Sequence, residues 1–137
     1  MKRKIMIVDD EEKFCQMVKK NLEKTNQYEV QYETKGMKAL ETAKAFMPEL
    51  MILDVMIPDR RGSDVLGDLK KDEVLKNVPV IFLTSLAKKG SKDLFLGLVD
   101  GRPFHANPAI PKPINTKDLI QCIEETLAAP KPPEVKP

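Results

Sequence analysis

Asp9, Asp10, Asp54, Thr84 and Lys112 are the residues of this sequence whose types and positions could do chemistry together. The acidic pair follows Ile5-Met6-Ile7-Val8, and Asp54 follows Leu50-Met51-Ile52-Leu53. Thr84 follows Val80-Ile81-Phe82-Leu83, and Lys112 follows the weaker run Ala109-Ile110. Carboxylate oxygens at close range suit a hard cation, and Mg²⁺ takes one or two carboxylates plus a phosphate while keeping several waters. A central carboxylate can also act as a nucleophile and form an aspartyl phosphate. An ammonium, a hydroxyl and a metal would neutralise and orient the phosphoryl oxygens. The set reads as phosphoryl transfer onto Asp54. Singly, each residue has an ordinary reading. Asp9-Asp10 could cap a helix, Thr84 and Ser85 could form a turn, and Lys112 could be a solvated surface residue. Their joint placement at strand ends favours the chemical reading.

That reading needs several strands to end on one crest, and the hydrophobic pattern supplies them. The continuous apolar runs are those of strands buried on both faces. Tyr28, Val30 and Tyr32 alternate with polar residues, as in a strand near a sheet edge. Between the runs lie helical stripes: Phe14, Met17, Val18 and Leu22; Met37, Leu40, Ala43 and Met47, closed by Pro48; Val65, Leu66 and Leu69; Leu94, Phe95 and Leu98 behind a cap at Ser91; and Leu119, Ile120, Ile123 and Leu127 behind a cap at Asn115 or Thr116. Strand alternating with helix five times predicts an α/β, doubly wound (βα)5 sandwich of three layers around a parallel sheet in the order 2-1-3-4-5. Ligands in such sheets bind outside the carboxyl ends of the strands. Pro111 removes a backbone donor and puts the last strand at an edge. Eight strands closed into a barrel would need about 250 residues.

Composition narrows the class. A chain of 137 residues fits one domain, taken as 1–129, with the Pro-rich stretch 130–137 as a tail or linker stub. Net charge is +2, and with 5% aromatics and no Trp this gives no support to a direct nucleic-acid binder. Cys15 and Cys122 make neither a disulfide framework nor a four-ligand zinc site. No apolar run approaches the 18 or so residues needed to span a membrane, and no secretory leader is visible, so the expectation is a cytoplasmic protein with no membrane contact. His105, the single His, forms no metal cluster.

The sequence resembles a bacterial response-regulator receiver domain of two-component signalling, similar to the chemotaxis receivers, over about residues 3–128. The resemblance is carried by Ile7-Val8-Asp9-Asp10-Glu11, by Leu53-Asp54-Val55-Met56-Ile57-Pro58 with Gly62, by Leu83-Thr84-Ser85 and by Lys112-Pro113. It implies a flavodoxin-like fold and a phosphorylation-operated switch rather than a metabolic enzyme, with only self-catalysed phosphotransfer and slow autodephosphorylation. It implies that Asp54 is the phosphoacceptor, that Asp10, Asp54 and the Met56 backbone carbonyl bind Mg²⁺, with Asp9 acting through water, and that Thr84 and Lys112 bind the phosphoryl group. It further implies a cis Lys112-Pro113 bond, a histidine kinase or phosphotransfer protein as donor, a downstream protein target, and a homodimer on phosphorylation as one form of output. The chain would be a stand-alone receiver or the receiver piece of a longer protein.

The sequence departs from that family at two places. Ala109 stands where receivers usually carry the Tyr or Phe that responds to the Thr, and the stretch from Thr84 to Lys112 is longer than usual. Phe104 or His105 could replace the aromatic, or the insertion could be a surface loop anchored by Phe104. Met56 and Leu86, two residues after Asp54 and Thr84, are bulky and predict slow loss of the phosphate. The alternative within the same fold is a pseudo-receiver that binds or dimerises without phosphorylation. A haloacid-dehalogenase-type phosphatase would need a second Asp where Met56 stands.

Overall fold

The computed structural model describes residues 2–84, 98–99, 102–103 and 107–128. The elements are β1 (Arg3–Val8), α1 (Glu12–Glu23), β2 (Tyr28–Glu33), a single 3-10 turn (Gly36–Lys38), α2 (Ala39–Phe46), β3 (Leu50–Asp54), α3 (Gly62–Lys71), β4 (Val80–Thr84), β5 (Leu98–Val99), β6 (Arg102–Pro103), β7 (Ala109–Pro111) and α4 (Thr116–Ala128). Five strands form one parallel sheet in the order β2-β1-β3-β4-β7. This is the expected 2-1-3-4-5 arrangement, with β7 as fifth strand. It lies at the edge, as Pro111 requires.

The two-residue period of a strand splits each buried run between two cores. Ile5, Ile7, Leu50, Ile52, Ile81 and Leu83 pack with Cys15, Val18 and Leu22 of α1 and with Leu119 and Ile123 of α4. Met6, Val8, Met51, Leu53, Val80 and Phe82 pack with Ala39, Ala43 and Phe46 of α2 and with Val65, Leu66 and Leu69 of α3. Each Val, Leu, Ile, Met or Phe side chain among them contributes about 1.5–3 kcal/mol on full burial. The sheet is therefore covered on both faces, and its packing fixes where the strand ends lie. Cys15 and Cys122 border the same core and are both free thiols. Asn115 caps α4, its Oδ1 accepting the Lys117 and Asp118 N–H groups at 2.9 and 3.3 Å.

Three details differ from the sequence reading. The stripe on α2 is Ala39, Ala43 and Phe46, whereas Met37 and Met47 are exposed. The first turn is 3-10, and the buried positions on either side of Ala43 are Ala39 and Phe46, one residue before the expected Leu40 and Met47. Met47 closes the helix with φ 57° and sends its N–H to the Ala43 carbonyl at 2.8 Å, and Pro48 blocks continuation. On α1 the buried residues are Cys15, Val18 and Leu22, with Met17 exposed. Leu98, expected on a helix, pairs instead with Pro103 in the two-residue antiparallel ladder of β5 and β6. Leu94, Phe95 and the Ser91 cap lie outside the described residues. Among the described residues, no helix is long and apolar enough to cross a membrane.

Candidate functional site

The sheet register brings the acids together. Val8 of β1 pairs with Leu53 of β3, so the next residues along, Asp9 and Asp54, leave the sheet side by side. The Asp9 N–H continues the β1 ladder by donating to the Glu33 carbonyl at 3.1 Å. One carboxylate oxygen from each of Asp9, Asp10 and Asp54 can be chosen so that all lie within 4.8 Å of one another. Asp9 is wholly buried, Asp54 is 5% exposed, and Asp10 is exposed.

Each buried carboxylate is oriented by its own turn. Asp9 Oδ1 accepts the Glu11 N–H at 2.9 Å, and Asp54 Oδ1 accepts the Met56 N–H at 3.1 Å. The other oxygens face Lys112, whose Nζ is 2.6 Å from Asp9 Oδ2, 3.5 Å from Asp54 Oδ2 and 3.2 Å from Glu11 Oε1. The Asp9 contact is an ion pair without the alignment of a hydrogen bond, which leaves Oδ2 a buried oxygen with no donor. Lys112 is anchored through its backbone, its N–H donating to the Thr84 carbonyl at 2.8 Å. Its peptide bond to Pro113 is cis. Thr84 is buried at the end of β4, paired with Pro111.

Burial pushes both the Asp9 and Asp54 carboxyls above the usual carboxylate range. The Lys112 ammonium and the Glu11 N–H pull Asp9 partly back. For Asp54 the Met56 N–H pulls back, while the charge of Asp9 pushes further up. Burial alone would lower the Lys112 ammonium, but the Asp9, Asp54 and Glu11 carboxylates outweigh it and hold it charged. The Cys15 thiol, whose Sγ donates to the Asp9 carbonyl at 3.3 Å, is pushed up to about 12 by burial and the nearby Asp9 charge.

These features fit a divalent cation. A buried Asp9 oxygen matched only by the Lys112 charge, two carboxyls raised by burial and three converging oxygen donors are the environment that a hard metal ion relieves.

The loop after Asp54 is fixed by close contacts. Gly62 starts α3 so near the end of β3 that a Cβ on it would lie 2.4 Å from the Asp54 carbonyl oxygen. Its N–H donates to the Val55 carbonyl at 3.0 Å. The Asp59 carboxylate accepts the Gly36 and Met37 N–H groups at 2.9 and 3.0 Å, tying this loop to the 3-10 turn. Arg60 makes a bidentate pair with Asp68, both bonds 2.7 Å.

Asp9, Asp10, Asp54 and Lys112 thus stand together, with Thr84 bound to Lys112 through the backbone. Met56 lies beside Asp54, half-exposed on the rim. Ala109 is an exposed β7 residue paired with Phe82. Leu86, Phe104 and His105 lie outside the described residues. The sequence reading did not connect three neighbours to the site. They are Glu11 and Phe14, both against Lys112, and Asp59. Glu11 and Phe14 lie at and just inside the start of a helix that opens directly from the acidic pair, which was the available signal.

The family model for the response regulator receiver domain matches residues 5–124. The polar-differentiation response regulator DivK of Brucella ovis is 31% identical over 127 residues, which is 93% of this chain and 98% of that protein. The alkaline phosphatase synthesis transcriptional regulatory protein PhoP of Bacillus subtilis is 33% identical over 95% of this chain and 52% of its own length. In structure, the chemotaxis response regulator CheY4 of Vibrio cholerae superimposes with a TM-score of 0.77 at 23% identity, covering 92% of this chain and 99% of that one.

Proposed function

The chain belongs to the response regulator receiver domain family of two-component signalling, and on that premise we propose that Asp54 is the phosphoacceptor of a Mg²⁺-dependent switch. The observation that carries the assignment is the position of Asp54. It is a buried carboxylate at the end of the central strand, hydrogen-bonded on one oxygen to the Met56 N–H and facing the Lys112 ammonium with the other.

The chain's own residues divide the work. Asp54 Oδ2, which accepts no backbone N–H among the described residues, attacks the phosphorus of a phosphohistidine. The new P–O bond forms as the P–N bond breaks, and the leaving imidazole takes its proton from solvent. Lys112 neutralises phosphoryl oxygen charge and is held charged by its carboxylate neighbours. The Thr84 hydroxyl donates to a second phosphoryl oxygen. Asp10, Asp54 and the Met56 carbonyl would hold Mg²⁺, with Asp9 acting through water. The ion, when bound, supplies charge neutralisation for the transferring group. The receiver spans 1–129 with 130–137 as tail or linker, a division supported by the family match over 5–124. The phosphodonor is a histidine kinase or phosphotransfer protein, the output is a protein target or a homodimer, and the setting is cytoplasmic.

The test is intact-mass spectrometry after incubation with acetyl phosphate, with and without Mg²⁺, alongside Asp54→Ala. A Mg²⁺-dependent gain of one phosphoryl group, absent in Asp54→Ala, is expected. No gain in wild type under any condition overturns the assignment and leaves a binding module.

A further inference from the structure

Among the described residues, four neighbours meet the charged end of Lys112, and only three are anionic. Asp9, Glu11 and Asp54 lie 2.6, 3.2 and 3.5 Å from Nζ. The fourth is the ring of Phe14 in the first turns of α1, with Nζ 4.6 Å from its centroid. The Lys112 side chain is only 12% exposed, so this ring replaces water rather than competing with it. An ammonium over an aromatic face within about 6 Å is attracted by the ring quadrupole, and more strongly when desolvated.

The two kinds of neighbour behave differently when a phosphoryl group arrives. Asp9 and Glu11 hold Lys112 through charge, and each competes with the phosphoryl oxygens for the same ammonium. The Phe14 ring carries no net charge. It limits the swing of the ammonium and excludes water without competing for it. We propose that Phe14 is a positioning residue for phosphoryl transfer, its ring holding the Lys112 ammonium beside Asp54 at no cost in negative charge. This rests on the assignment of Asp54 as phosphoacceptor and adds a residue that the chemistry of the acidic pocket does not include.

Phe14→Leu keeps an apolar side chain and removes the π face, whereas Phe14→Trp restores a face. Two readouts are taken on the full chain, with urea unfolding to confirm that each variant is folded. The first is the rate of Asp54 phosphorylation by acetyl phosphate in saturating Mg²⁺. Phe14→Leu should slow it about fivefold and Phe14→Trp should return it to within about twofold of wild type. The second is the chemical shift of the Lys112 Hε protons without phosphodonor. A ring this close should move them upfield in wild type and Phe14→Trp, and the shift should vanish in Phe14→Leu. Equal phosphorylation rates in all three proteins overturn the proposal. So does a Phe14→Leu defect that Trp does not rescue, which marks mere packing. If wild type takes up no phosphoryl group, the phosphoacceptor assignment falls by itself. The positioning claim is then decided by the Hε shift, whose absence in wild type overturns it.

Discussion

Lys112 is held closer to Asp9 than to Asp54, with Nζ 2.6 Å from one carboxylate and 3.5 Å from the other. The ammonium therefore lies against the acidic cluster and satisfies in charge the oxygen that has no hydrogen-bond donor. A divalent cation drawn to the same oxygens meets that positive charge at short range, where screening by salt is weak.

Lys112→Met is thus expected to bind Mg²⁺ more tightly than wild type, by about tenfold, an effect equivalent to about 1.4 kcal/mol. It should also be less stable without metal, because Asp9 is left buried and unpaired. Calorimetric titration with Mg²⁺ and thermal unfolding with and without it measure both effects. Unchanged or weaker Mg²⁺ affinity would show that the lysine does not contest the site.

The raised Asp54 carboxyl makes a prediction of definite sign. Its pKa in the folded chain lies above that in the unfolded chain, chiefly through burial. Stability from this group is therefore greatest below the unfolded carboxylate range, about 3.9. It is lost as pH rises through the folded value, where the unfolded chain has already released the proton. At neutral pH and without metal, the charged carboxylate is a burden on the fold. Asp54→Asn should accordingly unfold at higher urea concentration than wild type at pH 7.5, and the gain should shrink toward pH 4. Urea melts at both pH values decide it. A variant less stable than wild type at pH 7.5 means that the Lys112 contact outweighs burial.

The same strands explain how far the sequence could be read. Runs such as Leu50-Met51-Ile52-Leu53 are buried on both faces, so composition alone announces them, and the residue that ends each run is a candidate by position. Asp9, Asp54 and Thr84 were legible as candidates for that reason, whereas Lys112 follows the short edge strand β7, whose Ala109 and Pro111 are exposed. Phe14 was not legible, because an apolar residue in the first turn of an amphipathic helix looks like core until its neighbour is known. The Asp59 link to Gly36 and Met37 was hidden for a different reason. It joins a loop to the 3-10 turn 22 and 23 residues earlier through backbone N–H groups, which leave no mark on residue type. The stripe on α2 keeps Ala43 but takes Ala39 and Phe46 in place of Met37 and Met47, because a 3-10 turn with three residues per turn precedes a 3.6-residue pattern.

Gly62 shows where backbone contact, rather than side-chain chemistry, sets the site. In an exposed helix, replacing Gly by Ala is favourable by about 1 kcal/mol. Here the added Cβ would meet the Asp54 carbonyl oxygen at 2.4 Å and Val55 Cα at 2.9 Å, both backbone atoms of the segment that carries the phosphoacceptor. Neither can rotate aside as a side chain would. Relief must come from moving the start of α3 away from the end of β3, against the Arg60–Asp68 pair and the Asp59 link that hold the intervening loop. Gly62→Ala should therefore destabilise the protein by about 1–3 kcal/mol, the range for overpacking. Ser63→Ala, one residue further into α3, tests helix propensity without the clash and should be near neutral. Because the displaced segment includes Asp54, the phosphorylation rate of Gly62→Ala should fall as well, even well below its unfolding temperature. A Gly62→Ala protein as stable as Ser63→Ala would mean that the helix start yields freely and that the close approach does not fix Asp54.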